Sequence, residues 1–291
     1  MIYVRLTLVL ALVPASLAFS GYVAAQENPY FVAYDHNLEE PGNLEVEYFS
    51  TFATQRAGKD FHSYWTEFEY GVNAWWTTEF YLDAQTTFHD STVYSGFKWE
   101  NRFRVLKHEH WINPVLYAEF EDINGTDKTL KEVVGHDLES DYLTSNAQAR
   151  QEHKREMELK LILSSNSKGW NFSENIIAEK NLSNEPWEFG YALAASRPLA
   201  LQGSATRCTF CRQNFIVGAE MYGGLGDRHS FGTRLTSQYL GPTINWISPN
   251  GVTISFSPQF GLNDYSVPRL YRFGLAYEID QFLSRFHRSA R

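Results

Sequence analysis

The sequence predicts an all-β protein, a closed antiparallel transmembrane β-barrel of about 12 strands with up-and-down topology. Three observations lead to this prediction. From Asn43 onward, apolar and polar residues alternate with the period of a β-strand. The alternating stretches are long, and their polar faces carry many charges. After residue 25 the chain has no apolar run of the roughly 18 residues that a spanning helix needs, so a membrane crossing would have to be made by strands.

The segment from Trp75 to Phe88 shows the alternation most clearly. One face is mostly apolar and includes Trp76, Phe80 and Leu82, whereas the other face is mostly polar. The segment has 14 residues. Strands of soluble proteins average about five or six residues, and a tilted strand needs about 9–11 to cross a membrane. The length therefore favours a membrane strand.

Twelve segments of this kind are predicted, an even number as in single-chain bacterial barrels. Short connections follow the second, fourth, sixth and tenth, which indicates turns on one rim and loops on the other. The stretch 198–213 is too long for its place, so either a strand is miscounted there or the turn carries an excursion. The predicted strands are 43–55, 61–73, 75–88, 91–105, 111–122, 153–164, 168–181, 185–199, 212–222, 237–248, 251–263 and 268–280.

The ends of the chain have a different character. Arg5, the apolar run from Leu6 to Phe19 and the small residues up to Ala25 are typical of a cleaved signal peptide, so export is predicted. The predicted organisation is a signal peptide at 1–25, a periplasmic N-terminal lead-in at 26–41, the barrel at 42–280 and a C-terminal tail at 281–291. Within the barrel, residues 123–152 form a long loop, for which three arrangements stay open: a short helix, a plug inside the lumen, or a position outside the barrel.

Charge and aromatic content limit the possible partners. The formal net charge is −9, which argues against nucleic acid, because a phosphate-binding surface needs a basic excess. Aromatic residues make up 16% of the chain, and its eight tryptophans fall near predicted strand ends. That placement indicates girdles at the two membrane interfaces. The tryptophans concerned are Trp65, Trp75, Trp76, Trp99, Trp111, Trp170, Trp187 and Trp246.

The charged faces of the strands are predicted to point into the barrel, because Lys or Arg at mid-depth in lipid costs about 2–4 kcal/mol. There they either pair into a network that fills a narrow lumen or leave a surplus of carboxylates that lines an aqueous path for cations or polar solutes. Glu174 is the exception, because it falls on the apolar face. The predicted lumen-lining residues are Glu67, Glu69, Glu79, Asp83, Lys98, Glu100, Arg102, Arg104, Glu119, Glu121, Glu156, Glu158, Lys160, Glu220, Arg272 and Glu278.

Few residues suggest other chemistry. Cys208 and Cys211 lack the second ligand pair of a zinc site, so we predict a local disulfide in an oxidising compartment. His108 and His110 in a predicted turn are expected to be solvated, and neither a metal nor a cofactor is predicted. No nucleophile or zinc-hydrolase motif is recognisable, and His89 with Ser91 does not suffice for catalysis.

The last three strands resemble the closing strands of bacterial outer-membrane barrels of the phenol-degradation-pathway (MetA-like) group and related transporter barrels. The resemblance rests on Leu240 to Trp246, Gly251 to Asn263 and Leu270 to Ile279. It implies an outer-membrane transport protein of a Gram-negative bacterium and supplies no catalytic residues.

The leading hypothesis is therefore a non-enzymatic channel or transporter that carries small polar or cationic solutes through an acidic lumen. Its expected partners are outer-membrane lipid and the barrel-assembly machinery. Two alternatives remain open. A membrane-embedded lipid hydrolase would need a Ser and a His within hydrogen-bond reach on the outer surface. A secreted soluble β-sandwich or lipocalin-like binder would turn its apolar faces inward.

Overall fold

Twelve antiparallel strands form one closed barrel in which each strand pairs with its neighbours in the chain and β1 pairs with β12. The computed structural model describes residues 28–129, 133–136, 143–183, 185–202 and 208–283. Among these residues no helix has the length and apolar character to cross a membrane. The strands are β1 (Leu44–Thr54), β2 (Phe61–Asn73), β3 (Trp76–Thr87), β4 (Thr92–Arg104), β5 (Asn113–Asn124), β6 (His153–Ser167), β7 (Trp170–Asn181), β8 (Trp187–Pro198), β9 (Phe215–Asp227), β10 (Gln238–Ile247), β11 (Val252–Gly261) and β12 (Arg269–Ile279).

The predicted fold class and topology are confirmed, and each predicted strand overlaps an observed one. The largest difference is at β9, which was expected to end near residue 222 and continues to Asp227. The extension contains Gly223, Gly224 and Gly226. In the barrel they leave room for another segment, since a Cβ at Gly224 would lie 2.5 Å from the backbone oxygen of Gly135. The predicted signal peptide (1–25) and most of the predicted tail (281–291) lie outside the described residues.

The apolar faces of the strands point outward and the charged faces point inward. Large apolar side chains are exposed around the outer wall, among them Phe80, Leu116, Ile176, Ile244 and Phe273. A soluble sandwich would bury these side chains, so this sidedness contradicts the soluble alternative. An outer wall of this kind suits lipid, and closure of the sheet leaves no unpaired strand edge.

This sidedness predicts a depth-dependent cost for charge on the outer wall. Leu82→Arg, at the middle of β3, is expected to lower the free energy of unfolding in phospholipid vesicles by about 2–4 kcal/mol, because the guanidinium would face acyl chains. Thr86→Arg, near the end of the same outward row, is the matched control and should cost about 0–1 kcal/mol. Urea titration followed by tryptophan fluorescence measures both. Equal costs at the two positions would contradict a lipid-facing wall.

The short connections define one end of the barrel, the turn rim, and the longer connections define the other end, the loop rim. The long connection between β8 and β9 lies at the turn rim and contains no additional strand among its described residues, 199–202 and 208–214. Cys208 and Cys211 are joined there by a disulfide. Phe210 stacks on Trp246 at a centroid distance of 5.1 Å, which packs the excursion against β10.

Two side chains depart from simple alternation. Glu174 is exposed on the outer wall, where its register partners are Leu163 and Leu193. It lies four residues from Trp170, the first residue of β7 after the turn, and no bulge interrupts the strand there. Trp65 was expected in an interfacial girdle but is buried inside the barrel, where it stacks on Phe49.

The structure corrects the placement of the N-terminal lead-in. Residues 28–38, here called the lumen segment, lie within the barrel, where Tyr30 through His36 are buried. The segment rises from the turn rim to about mid-depth and returns to the start of β1. Its return path runs close to β2, since a Cβ at Gly71 would lie 2.1 Å from the backbone oxygen of Glu40. The aromatic and apolar residues of the segment escape water by filling the lumen.

The described parts of the long loop after β5 lie at the loop-rim mouth of the barrel. Residues 126–129 turn inward, and the ammonium of Lys128 lies 5.9 Å from the centre of the Phe61 ring. Val133 joins the lumen segment in one apolar cluster. A short helix, α1 (Asn146–Ala149), packs on the β3–β4 loop through hydrogen bonds from Asn146. The described part of the loop therefore enters the barrel mouth and also forms a helix at its edge.

Candidate functional site

The candidate functional site is the interior of the barrel. All sixteen predicted lumen residues project inward from their strands. Arg104 and Glu278 are partly exposed near the turn rim, and the other fourteen are buried. The buried members are Glu67, Glu69, Glu79, Asp83, Lys98, Glu100, Arg102, Glu119, Glu121, Glu156, Glu158, Lys160, Glu220 and Arg272.

Arg102 on β4 holds three carboxylates together. Its Nη2 lies 2.5 Å from Oε1 of Glu69, and its Nε lies 2.6 Å from Oε1 of Glu79 and 3.3 Å from Oε1 of Glu100. The registers place Glu69 opposite Glu79, and Glu79 opposite Glu100. Like charges directly opposite each other across strands repel. The guanidinium is therefore the group that permits three adjacent carboxylates at this depth.

Two lysines likewise form ion pairs with carboxylates on the neighbouring wall. The ammonium of Lys98 lies 3.1 Å from Oε2 of Glu121, and that of Lys160 lies 2.9 Å from Oε1 of Glu158. Lys160 also sits 4.1 Å from the centre of the Tyr117 ring, within the range of a cation–π contact. The ionised residues of β2 to β6 thus form a paired network that fills much of their side of the lumen.

The opposite wall is sparser in charge. Arg272 on β12 donates a hydrogen bond of 2.9 Å to the hydroxyl of Tyr222. Glu220 on β9 accepts hydrogen bonds from the backbone N–H groups of Phe31 and Val32 in the lumen segment. Elsewhere β7, β8, β10 and β11 present mostly neutral amides and hydroxyls inward. This neutral wall consists of Asn171, Ser173, Asn175, Ser196, Thr243, Asn245, Thr253, Ser255, Ser257 and Gln259.

Two titratable residues of the lumen segment are buried in the docked position. Burial raises the pKa of Asp35 to about 6, although hydrogen bonds from Asn37 and the positive charges of Arg102 and Arg104 act in the opposite direction. Burial also lowers the pKa of His36, against the attraction of Glu109, whose Oε1 lies 3.8 Å from Nε2. The docked segment therefore favours the neutral form of both side chains.

Two small cavities lie beside the segment. The one of about 50 Å³ is lined mainly by β1, β11 and β12, and the one of about 40 Å³ mainly by β1 and β2. A buried water needs about 10–15 Å³, whereas pockets for small organic ligands occupy about 300–1,000 Å³. These cavities hold a few waters rather than a solute.

Two groups of three carboxylates inside the barrel have the spacing to bind a cation. The ligand oxygens of Glu67, Glu69 and Glu79 lie within 4.8 Å of one another, as do those of Glu45, Glu47 and Glu69. Arg102 is hydrogen-bonded to both Glu69 and Glu79, so a guanidinium already supplies the positive charge for the first group. The second group borders the larger cavity.

The histidines considered for metal binding or catalysis, His89, His108 and His110, lie in connections at opposite rims of the barrel. His108 and His110 are exposed in the β4–β5 turn, and His89 lies in the exposed β3–β4 loop. Among the described residues, one Ser–His hydrogen bond occurs, between Ser164 and His36, and it lies inside the lumen. The outer surface of the described chain thus lacks the Ser–His contact that a barrel lipid hydrolase of the expected type would use.

The lumen segment is the part of the site that sequence reasoning missed. Its run Tyr30 to Tyr34 is apolar and aromatic without strand alternation, which was the available signal that these residues need cover from water. Its partners could not be read from the pattern, because Pro29 contacts Asn245 on β10 and Phe31 contacts Glu220 on β9.

Several solved structures of other proteins resemble this chain at low sequence identity. No family model and no curated protein matches the chain. Among solved structures, the KdgM porin is 9% identical, with 80% of this chain and 98% of that chain covered at a TM-score of 0.47. The translocator domain of autotransporter NalP from Neisseria meningitidis is 11% identical, with 84% and 90% covered and a TM-score of 0.41. LpxR from Salmonella typhimurium is 10% identical, with 80% and 99% covered and a TM-score of 0.40. These likenesses identify neither a solute nor the phenol-degradation group, so the chain is described by its fold, a closed twelve-stranded antiparallel barrel.

Proposed function

We propose that this protein is an outer-membrane channel or transporter for small polar or cationic solutes, closed at rest by the lumen segment. The observation that carries the proposal is the sidedness of the barrel, which is apolar outside and rich in carboxylates inside. An enclosed wall with surplus negative charge concentrates cations through its field. The proposal includes export by the signal peptide and insertion by the barrel-assembly machinery.

The resting state is closed because the lumen segment occupies the path. The segment is buried from Tyr30 to His36, and the cavities beside it are water-sized. Its described part is joined to the barrel at one end, through residues 39–43. It can therefore leave toward the turn rim while the β1–β12 seam stays closed.

Release of the segment should open a cation-preferring conductance. A protease site inserted before Glu40, the first exposed residue after the segment, allows the full chain to fold before it is cut. We expect the uncut barrel to be nearly silent in planar bilayers. The cut and washed barrel should conduct steadily and pass potassium more readily than chloride, because the lining is acidic.

A cut in the β1–β2 loop, at exposed Ala57–Gly58, is the matched control and should leave the barrel silent. A cut barrel that stays silent at every voltage and salt concentration would contradict the channel. In that case the charged network would serve only as filling. Steady conductance with chloride preference would contradict the cationic lumen.

A further inference from the structure

The neutral wall of the lumen holds the lumen segment chiefly by its backbone. Asn175 shows this most directly. Its Oδ1 accepts the N–H of Tyr34 at 2.7 Å, and its Nδ2 donates to the carbonyl oxygen of the same residue at 2.8 Å. Ser173 donates to that oxygen as well. One side-chain amide thus pairs with both backbone groups of one residue, as a neighbouring strand would.

Further backbone groups of the segment are bonded in the same way. Asn245 donates to the carbonyl oxygen of Pro29 at 2.9 Å, and Glu220 accepts the N–H groups of Phe31 and Val32. The N–H of His36 donates to Ser164 at 2.9 Å, and its carbonyl oxygen accepts from Arg104 at 3.0 Å. Every peptide offers these donors and acceptors, apart from the missing N–H of proline. These contacts therefore recognise an extended chain with little regard to its side chains.

Two side-chain positions add selectivity. The hydroxyl of Tyr30 donates to Oδ1 of Asn171 at 2.8 Å and contacts Ser196 at 3.0 Å. The hydroxyl of Tyr34 donates to Glu100 at 3.0 Å, and its ring faces the ammonium of Lys160 at 4.6 Å. Both rings are buried. The lumen thus offers two places for tyrosine side chains four residues apart, one at the neutral wall and one at the charged network.

We propose that this wall is a binding site for extended peptides, which the lumen segment occupies at rest. The ligand class is an oligopeptide with aromatic side chains, preferably tyrosine, four residues apart. The inference deepens the proposed channel, because it makes such peptides the polar solute that the lumen takes up. A departing segment gives up its bonds to these amides and hydroxyls, which water then takes over in the open lumen. An incoming peptide backbone restores those bonds.

The test uses the full chain, folded and then cut before Glu40 as above. A fluorescein-labelled peptide with the sequence of residues 28–38 is titrated against the washed barrel in detergent, and anisotropy is recorded. We expect saturable binding. Methylation of the Tyr34 amide nitrogen in the peptide should weaken binding about tenfold or more, because it removes a donor and leaves Oδ1 of Asn175 unpaired.

The wall itself supplies the second arm. Asn175→Leu should weaken binding by about tenfold or more, because it removes both bonds to one residue. Ser255→Ala, on the same wall, is the control, because Ser255 makes no hydrogen bond to residues 28–38 in the described part of the chain. Heat-modifiable gel migration reports that both barrels are closed. An unrelated peptide with the same tyrosine spacing should bind, and one with tyrosines two residues apart should bind at least about tenfold more weakly.

Three results would overturn the inference: no binding, binding of the native sequence alone, or equal binding by the N-methylated peptide. The second of these would identify a dedicated plug. The outcome is separable from that of the proposed function. A cut barrel that conducts but binds no peptide removes the peptide site alone, whereas one that binds peptide but never conducts removes the channel.

Discussion

Replacement of Arg102 by methionine is expected to lower the free energy of unfolding at pH 8 by about 3–5 kcal/mol, the range for breaking a buried ion pair from one side. The physical reason is the cluster of Glu69, Glu79 and Glu100, which the guanidinium contacts at hydrogen-bond or ion-pair distance. Without it, three neighbouring carboxylates must remain charged in a poorly solvated interior or bind protons. The loss should therefore shrink as pH falls. Urea unfolding in phospholipid vesicles measures it.

The controls separate charge from packing. Arg102→Lys keeps the charge but loses the forked geometry, so its cost should be smaller than that of the methionine variant. Adding Glu79→Gln to Arg102→Met removes one of the uncompensated charges and should recover part of the loss. Unchanged stability of Arg102→Met at pH 8, with no pH dependence, would contradict an ionised network in the lumen.

Docking of the lumen segment should depend on pH with opposite contributions from adjacent residues. The pKa of docked Asp35 is about 6, above its ordinary value near 3.9. Docking therefore takes up a proton and strengthens as pH falls from about 6 toward 3.9. The pKa of docked His36 is lowered below its ordinary value near 6.5, so docking releases a proton and weakens as pH falls below about 6.5. In the native chain the two effects act in opposite directions.

Removing the histidine exposes the aspartate effect. In a His36→Asn background, protection of the docked segment should rise about fiftyfold between about pH 7.5 and about pH 4, as the linkage of the Asp35 shift requires. The probe is Val32→Cys, a fully buried position, labelled with a polar thiol reagent. The described cysteines, Cys208 and Cys211, are bonded to each other, so the new thiol is the one that the reagent labels among the described residues. At each pH the labelling rate is divided by that of a separate Ala57→Cys variant, whose cysteine is exposed.

The control adds Asp35→Asn to the His36→Asn chain, which should abolish the rise in protection from labelling at low pH. Protection that falls steadily with pH in the His36→Asn chain would contradict the docked environment of Asp35. Protection that does not change at all would show that the segment never leaves the lumen on the timescale of labelling, which would also count against a gate.

The barrel could be predicted in detail because its signal is local. Alternation along β3, for example, states which side chains share a face, and the cost of charge in lipid then decides which face points inward. The Arg102 cluster was predictable as a set of lumen residues, although the pairing within it was not. Pairing depends on register between strands, which alternation alone does not supply.

The lumen segment could not be placed for the opposite reason. Its backbone is held by side chains that follow it by more than a hundred residues, such as Asn175 and Asn245. Each of those partners looks like an ordinary inward polar residue of a strand. The long loop after β5 is similar, since the space it enters exists only where inward glycines such as Gly190 and Gly224 leave the wall without side chains.

The seam between β1 and β12 has a consequence for biogenesis. It joins the earliest and the latest strands of the chain, a contact of the greatest sequence separation, and such contacts form slowly. The lumen segment leads directly into β1, and its partners Ser164, Asn175 and Asn245 lie on β6, β7 and β10. A nascent barrel halted before the seam forms has two unpaired edges, and these partners do not yet enclose a lumen. We therefore expect a factor that holds the seam open to delay the docking of the lumen segment as well.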